Sequence, residues 1–244
     1  MENKQHSSLN HAQLEKSLQE TGWYVVMIEG TAYQPSFAYT IGLWRNFGHP
    51  ELIAFGLPLK TMHLILNDIG QLVKRGEKMQ VNKSYQDFLQ DYLTTFITVE
   101  PRNMKDYFGA AIEYYDSFEI RAIQFIWPDK NHHFPWEQGF EPSYKYLQPL
   151  LDRNADFKFR EEKNLAVFTT RQWLEDNAPI LEVYHDDDGD WQFITGQWKE
   201  DDIRTVALEE ILKRDPSIND LFNLDYGEQA LRLSPKEKWQ RDNH

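Results

Sequence analysis

Four polar side chains within the first 150 residues, His49, Glu51, Asp129 and Glu137, are of the types that carry general acid–base chemistry. A proton-transferring group must reach its target within hydrogen-bond distance, and histidine and carboxylates serve most often. All four flank expected strand ends. His49-Pro50-Glu51 also reads as a turn entering a strand, and paired charges often serve structure. The structural reading is preferred. An enzyme with His49, Glu51 and Asp129 lining a pocket is the alternative.

The run Asp186-Asp187-Asp188-Gly189-Asp190 first suggests calcium. A calcium loop needs glycine at its sixth position and a bidentate glutamate at its twelfth. Counted from Asp186, those positions hold Trp191 and Gln197. Asp-Gly between apolar runs is instead a hairpin signal, because both residues tolerate positive φ. The histidines His49, His63, His132, His133 and His185 show neither zincin spacing nor a His-x-His pair. His132-His133 reads as a solvated loop, so no metal or cofactor is expected. No Gly-x-Ser-x-Gly, phosphate-binding loop or Gly-x-Gly-x-x-Gly occurs, so the sequence supports neither a hydrolase elbow nor nucleotide chemistry. Without cysteine there is no disulfide framework, thiolate zinc site or Cys nucleophile.

These groups must be held by an α+β chain. Asn10 to Gly22 reads as a helix on the Leu14/Leu18 spacing, with Gly22 at the C-terminal cap. Trp23–Ile28, Phe37–Leu43 and Glu51–Gly56 read as strands. Lys60–Gly76 is helical, since Met62, Ile65, Leu66, Ile69 and Val73 form one stripe. Phe96–Val99 reads as a strand, Met104–Tyr115 as a helix, and Ile120–Trp127 as a strand stopped by Pro128. A polar, proline-containing stretch from Lys130 to Pro149 and a charge run from Lys158 to Asn164 mark a boundary. Domains of 1–150 and 151–244 are expected, each a small, mostly antiparallel sheet with packed helices. In the second, Leu165–Phe168 is a strand, and Thr169 or Thr170 caps a helix through Leu174. Ile180–Tyr184 and Trp191–Thr195 flank the acidic turn. Thr205–Leu208 is a further strand, Leu208–Lys213 a short helix, and Pro216 begins another.

The chain has 244 residues, 41% hydrophobic and 14% aromatic, with a net charge of -13. Such a chain is repelled by nucleic acid and anionic membrane. Residues 1–150 carry -4 and residues 151–244 carry -9 of that total. An acidic face suits a basic partner, although charge also serves solubility. The polar start Met1-Glu2-Asn3-Lys4-Gln5-His6 resembles no signal peptide and no segment resembles a membrane span, so a cytoplasmic protein is expected.

Several segments taken together carry a family resemblance. Gly22-Trp23, Phe37 to Leu43, His49-Pro50-Glu51-Leu52, Gly56-Leu57, Gln124 to Asp129 and Phe134-Pro135-Trp136-Glu137 occur in order. Over residues 20 to 140 the chain resembles the bacterial domain-of-unknown-function family 4262. That family's name implies no activity. Gly42 would serve a backbone bend and Trp127 and Trp136 packing. Ala166 to Thr170, Ala178-Pro179-Ile180, Gly189 to Gly196, Asp215 to Ile218 and Tyr226-Gly227 carry a second resemblance. Over residues 165 to 232 the chain resembles the immunity protein 33 family, also termed domain of unknown function 2185. That resemblance implies an antidote to a bacterial toxin domain, with no contact residues carried over.

The favoured expectation is therefore an immunity protein, not an enzyme, whose acidic surface occludes a basic toxin domain. Asp186, Asp187, Asp188, Asp190, Trp198, Glu200, Asp201 and Asp202 are its expected contacts, since aromatic anchors amid charge fit interface energetics. A third reading is a small-ligand sensor, with Trp23, Trp127 and Trp136 forming an apolar pocket. The sequence does not fix the toxin's identity or the oligomeric state.

Overall fold

The protein is described by a computed structural model covering residues 11–242. It has helices and two six-stranded sheets, an α+β arrangement. The chain divides into two compact units. One runs through Thr31 and includes Pro35–Ala155; the other comprises Ala32–Gln34 and the chain from Asp156. The division falls beyond the expected 150/151. Leu151 is wholly buried in the first unit, and its carbonyl accepts from Glu100 N (2.9 Å) and Asn103 Nδ2 (2.9 Å).

The first unit opens with α1 (His11–Glu20), β1 (Tyr24–Ile28), β2 (Phe37–Ile41) and α2 (Leu43–Phe47). It continues with β3 (Glu51–Phe55), α3 (Leu59–Lys74), β4 (Tyr85–Leu89) and β5 (Tyr92–Thr98). The short helices α4 (Met104–Tyr107) and α5 (Gly109–Tyr115) lead to β6 (Ala122–Ile126). The expected start of α1 at Asn10 lies outside the described residues. The sheet order is β1-β2-β3-β6-β5-β4, with β3 and β6 parallel and the other pairs antiparallel.

The expected stripe on α3 is its buried face: Met62, Ile65, Leu66, Ile69 and Val73 pack with Trp23, Leu52, Ala54, Phe96 and Phe125. Burying each large apolar side chain contributes about 1.5–3 kcal/mol. Alternation sends Ile53 and Phe55 to the opposite face of β3. There Tyr107 packs on Phe55 at 5.1 Å and Phe108 on Tyr39 at 5.1 Å. Both faces of β3 and β6 are thus covered, and all residues of both strands are buried.

Two elements depart from the sequence reading. The apolar run Phe37–Leu43 does not continue as one strand. Gly42 takes φ 117° and turns the chain into α2. A Cβ there would lie 2.6 Å from Gly22 O, so only glycine fits. The helix expected over Met104–Tyr115 breaks at Phe108 into α4 and α5.

The second unit contains β7 (Ala166–Thr170), α6 (Arg171–Glu175), β8 (Ile180–His185) and β9 (Trp191–Thr195). It then forms β10 (Ile203–Ala207), α7 (Leu208–Arg214), a 3-10 helix over Pro216–Leu221, β11 (Gln229–Leu231) and β12 (Gln240–Asp242). The order is β10-β7-β9-β8-β11-β12, and only β7 and β9 run parallel. Thr170 caps α6, its side chain accepting from Trp173 N at 3.4 Å. Several strands are only partly covered: β10 has no fully buried residue, and β8 buries Ile180, Val183 and His185. No helix among the described residues is long and apolar enough to cross a membrane.

Candidate functional site

Glu51 begins β3 and is completely buried. Its Oε1 accepts from Gly42 N (2.9 Å), Trp44 N (2.9 Å) and the Tyr115 hydroxyl, and its Oε2 from Thr40 Oγ1 (2.6 Å). The Thr40 hydroxyl in turn accepts from Leu52 N at 2.9 Å. Burial raises the Glu51 pKa above the ordinary carboxylate value, against the pull of these four donors. Every carboxylate oxygen is thus engaged in holding the β2–α2 turn.

His49 is also buried, with Nδ1 2.7 Å from Pro50 O and Nε2 accepting from Met79 N at 3.1 Å. Those partners place the ring proton on Nδ1. Burial lowers its pKa, while the Pro50 carbonyl pulls it up and Lys78 adds to the lowering. The Asp129 carboxylate accepts from Asn131 N (2.8 Å), His133 N (2.9 Å) and Glu141 N (2.8 Å). Burial works to raise its pKa, but the backbone donors of His133, Glu141 and Asn131 hold it below the usual range. Glu137 is exposed and accepts from Phe134 N at 2.7 Å.

The structure does not bring the acid–base set together. Glu51 stands opposite Ala122 at the start of the parallel pair, whereas Asp129 follows the end of β6. At ~3.3 Å per residue, the strand between them alone spans roughly 13 Å. No hydrogen bond joins any two of His49, Glu51 and Asp129 among the described residues. Nor is there among those residues a group of three His, Asp or Glu side chains placed to hold a metal.

The expected tryptophan pocket does not form either. Trp23 is buried against α3 and donates to Asn67 Oδ1 (3.0 Å). Trp127 is buried and donates to Phe55 O (2.9 Å). Trp136 is 42% exposed and stacks on Phe134 at 5.1 Å. Two of the three rings are core residues, and their indole N–H groups have the partners burial demands.

In the second unit the acidic run forms the β8–β9 hairpin turn. Gly189 has φ 93° and donates to Asp186 O (3.0 Å), and Asp186 N donates to Asp190 O (2.9 Å). Asp186 is also engaged through its side chain, accepting from Gln192 Nε2 (2.6 Å). Asp187, Asp188 and Asp190 are exposed, and none has an ion pair among the described residues.

Trp198 and Glu200–Asp202 follow the other end of β9, about 13 Å of strand from the hairpin. The expected contact residues therefore make two patches rather than one. Asp202 is occupied internally: it accepts from Gln172 Nε2 (2.7 Å), Lys199 N (2.9 Å) and Arg171 Nε (3.2 Å). Those hydrogen bonds, led by Gln172, hold its pKa below the usual range. Glu200 and Asp201 are exposed and lack ion pairs among the described residues. Beside them opens a cavity of about 490 Å³, lined by Gln172, Pro179, Leu181, Thr195, Trp198 and Asp202, among others. Trp198 is 42% exposed at this site. Sequence reasoning found Trp198 but not Gln172, Pro179 and Leu181, whose convergence requires the sheet register.

No curated protein and no solved structure matches the chain. A family model does match residues 17–141, that of the Domain of unknown function DUF4262, and apart from Ala32–Gln34 the match falls in the first unit. Gly42 and Glu51, which shape the β2–α2 turn, both fall inside it, and so do His49 and Asp129. Covering just over half of the sequence, that match places the chain in the DUF4262 family.

Proposed function

We propose that the second unit binds and neutralises a basic toxin domain, as an immunity protein does, by covering the toxin's cationic surface. The observation that carries this reading is the cavity of about 490 Å³ beside Trp198, next to the carboxylates of Glu200 and Asp201, which have no ion pair among the described residues. A half-exposed tryptophan with a neighbouring cavity is the kind of anchor around which binding energy concentrates. Carboxylates beside it speed encounter with a basic surface. The resemblance of residues 165 to 232 to the immunity protein 33 family supports the same reading, as does the charge of -9 carried by residues 151–244. The Trp198 end is the principal contact. The hairpin aspartates Asp187, Asp188 and Asp190 contribute long-range attraction. A cytoplasmic location is part of this proposal.

The test presents the full chain with purified cationic toxin domains of the kind that immunity proteins neutralise, with binding followed by calorimetry. Trp198→Ala is expected to weaken binding by about 2 kcal/mol or more. Neutralising Asp187, Asp188 and Asp190 should mainly slow association and flatten its salt dependence. Full-strength binding by Trp198→Ala combined with Glu200→Gln and Asp201→Asn would overturn the assignment.

A further inference from the structure

A separate cavity of about 270 Å³ opens in the first unit, lined by Trp44, Arg45, Tyr115, Ser117, Glu119 and Ile120. Its wall is anchored from below, because the Tyr115 hydroxyl donates to the buried Glu51 carboxylate and accepts from Gly42 N at 2.9 Å. The Arg45 guanidinium lies over Tyr114 at 4.4 Å and Tyr115 at 5.1 Å. Stacking of this kind uses the face of the guanidinium and leaves its in-plane fork of N–H donors. Among the described residues that fork has no carboxylate within ion-pair distance and no hydrogen-bond acceptor. Glu119 is in the complementary state. Its backbone N–H donates to Ser117 Oγ at 3.0 Å, but its carboxylate has no cationic partner among the described residues.

Two opposite charges therefore line one cavity without pairing with each other. A simple anion would meet Arg45 but face the like charge of Glu119, and a simple cation would face Arg45. A ligand carrying both charges satisfies both residues. The lining also includes Trp44, over whose ring Arg121 sits at 5.5 Å, and buried Ile120. At about 270 Å³ the cavity lies just under the ~300 Å³ at which small-molecule sites usually begin, so it takes a small ligand.

We propose that this cavity binds a free α-amino acid with an apolar side chain. Its carboxylate accepts from Arg45, its ammonium donates to Glu119, and its side chain rests on Trp44 and Ile120. This site lies in the first unit and is independent of the toxin-binding reading.

Calorimetry and ligand-observed NMR on the full chain test the proposal with L-leucine and L-phenylalanine as probes. N-acetyl-L-leucine removes the ammonium and L-leucinamide removes the carboxylate. The free amino acids are expected to bind, and each derivative to bind at least about tenfold more weakly, the loss of one charge-assisted contact. Arg45→Met should weaken leucine binding at least about tenfold while leaving leucinamide binding unchanged. Glu119→Gln should weaken leucine binding while leaving the N-acetyl derivative unchanged. Absence of amino-acid binding, equal binding of the derivatives, or wild-type affinity in both variants would each overturn the proposal. Should Arg45→Met fail to fold, the exposed Glu119→Gln variant and the derivatives decide the matter.

Discussion

In the first unit the parallel pair β3–β6 lies in the middle of the sheet, and every residue of both strands is buried. In the second, the parallel pair β7–β9 lies one strand from the edge, and its neighbour β10 has no fully buried residue. The difference governs what polar side chains can do. A strand covered on both faces must satisfy its polar groups internally. Glu51 accordingly takes four donors. Gln124 likewise donates to Pro149 O (2.8 Å) and accepts from Leu151 N (3.0 Å). The more open sheet leaves Asp187, Asp188, Asp190, Glu200 and Asp201 at the surface without ion pairs among the described residues. The carboxylates that first suggest catalysis are thus held by internal donors, while Asp187, Asp188 and Asp190 of the run that first suggests a metal loop stand at the surface.

The contrast is most directly broken at Glu51. Glu51→Leu leaves the Trp44 N–H and the Thr40 and Tyr115 hydroxyls without their acceptor, and each orphaned donor costs about 1–3 kcal/mol. Destabilisation of roughly 3 kcal/mol or more is expected in the first unit alone, read as lost hydrogen-exchange protection there. Unchanged protection would mean that the buried carboxylate is not structural. Gly42→Ala should cost about 2–3 kcal/mol, through positive φ and collision with Gly22 O and Leu18 Cδ2. Urea unfolding measures it.

A smaller effect tests what the units share, a buried histidine each. Burial lowers the pKa of His185 as it does that of His49, with Leu224 O pulling the other way. The unfolded chain takes up a proton near the ordinary value of 6.5, before either folded ring does. Both units should therefore lose stability as pH falls below 6.5, with the loss complete below the lowered folded values. His185→Phe, which can keep the stack on Trp191, should remove that slope from the second unit only. The smallest effect belongs to the hairpin tip. Converting Asp187, Asp188 and Asp190 to Asn should change stability by less than about 0.5 kcal/mol, as thermal unfolding would show.

Long periodic elements were legible because their patterns are local. The α3 stripe and the strands around the acidic hairpin follow directly from spacing. The start of the short helix α2 was hidden at the end of an apolar run, since Gly42 can occupy a strand or end one. The strand β4, Tyr-Gln-Asp-Phe-Leu, has little alternation, and its hairpin turns on Asp91 at φ 66° rather than on a glycine. The candidate sites were less legible. Glu51 could be singled out by type, but its partners Thr40, Gly42, Trp44 and Tyr115 are gathered by sheet register and by the α5 crossover. The adjacent pairs Trp44-Arg45 and Tyr114-Tyr115 carry no spacing that predicts their convergence.

The register of β3 on β6 also bears on how the chain is made. Glu51 pairs with Ala122, 71 residues later, whereas Phe168 on β7 pairs with Gln192, only 24 later. A growing chain emerges from its N-terminus, so β1, β2 and β3 exist well before the strand that completes their sheet. During that interval the apolar edge of β3 has no partner, a template for association with other chains. The half synthesised first is thus the half exposed longest to aggregation. Chains ended just before Ala122 should sediment, while chains ended after Ala155 should remain in the supernatant.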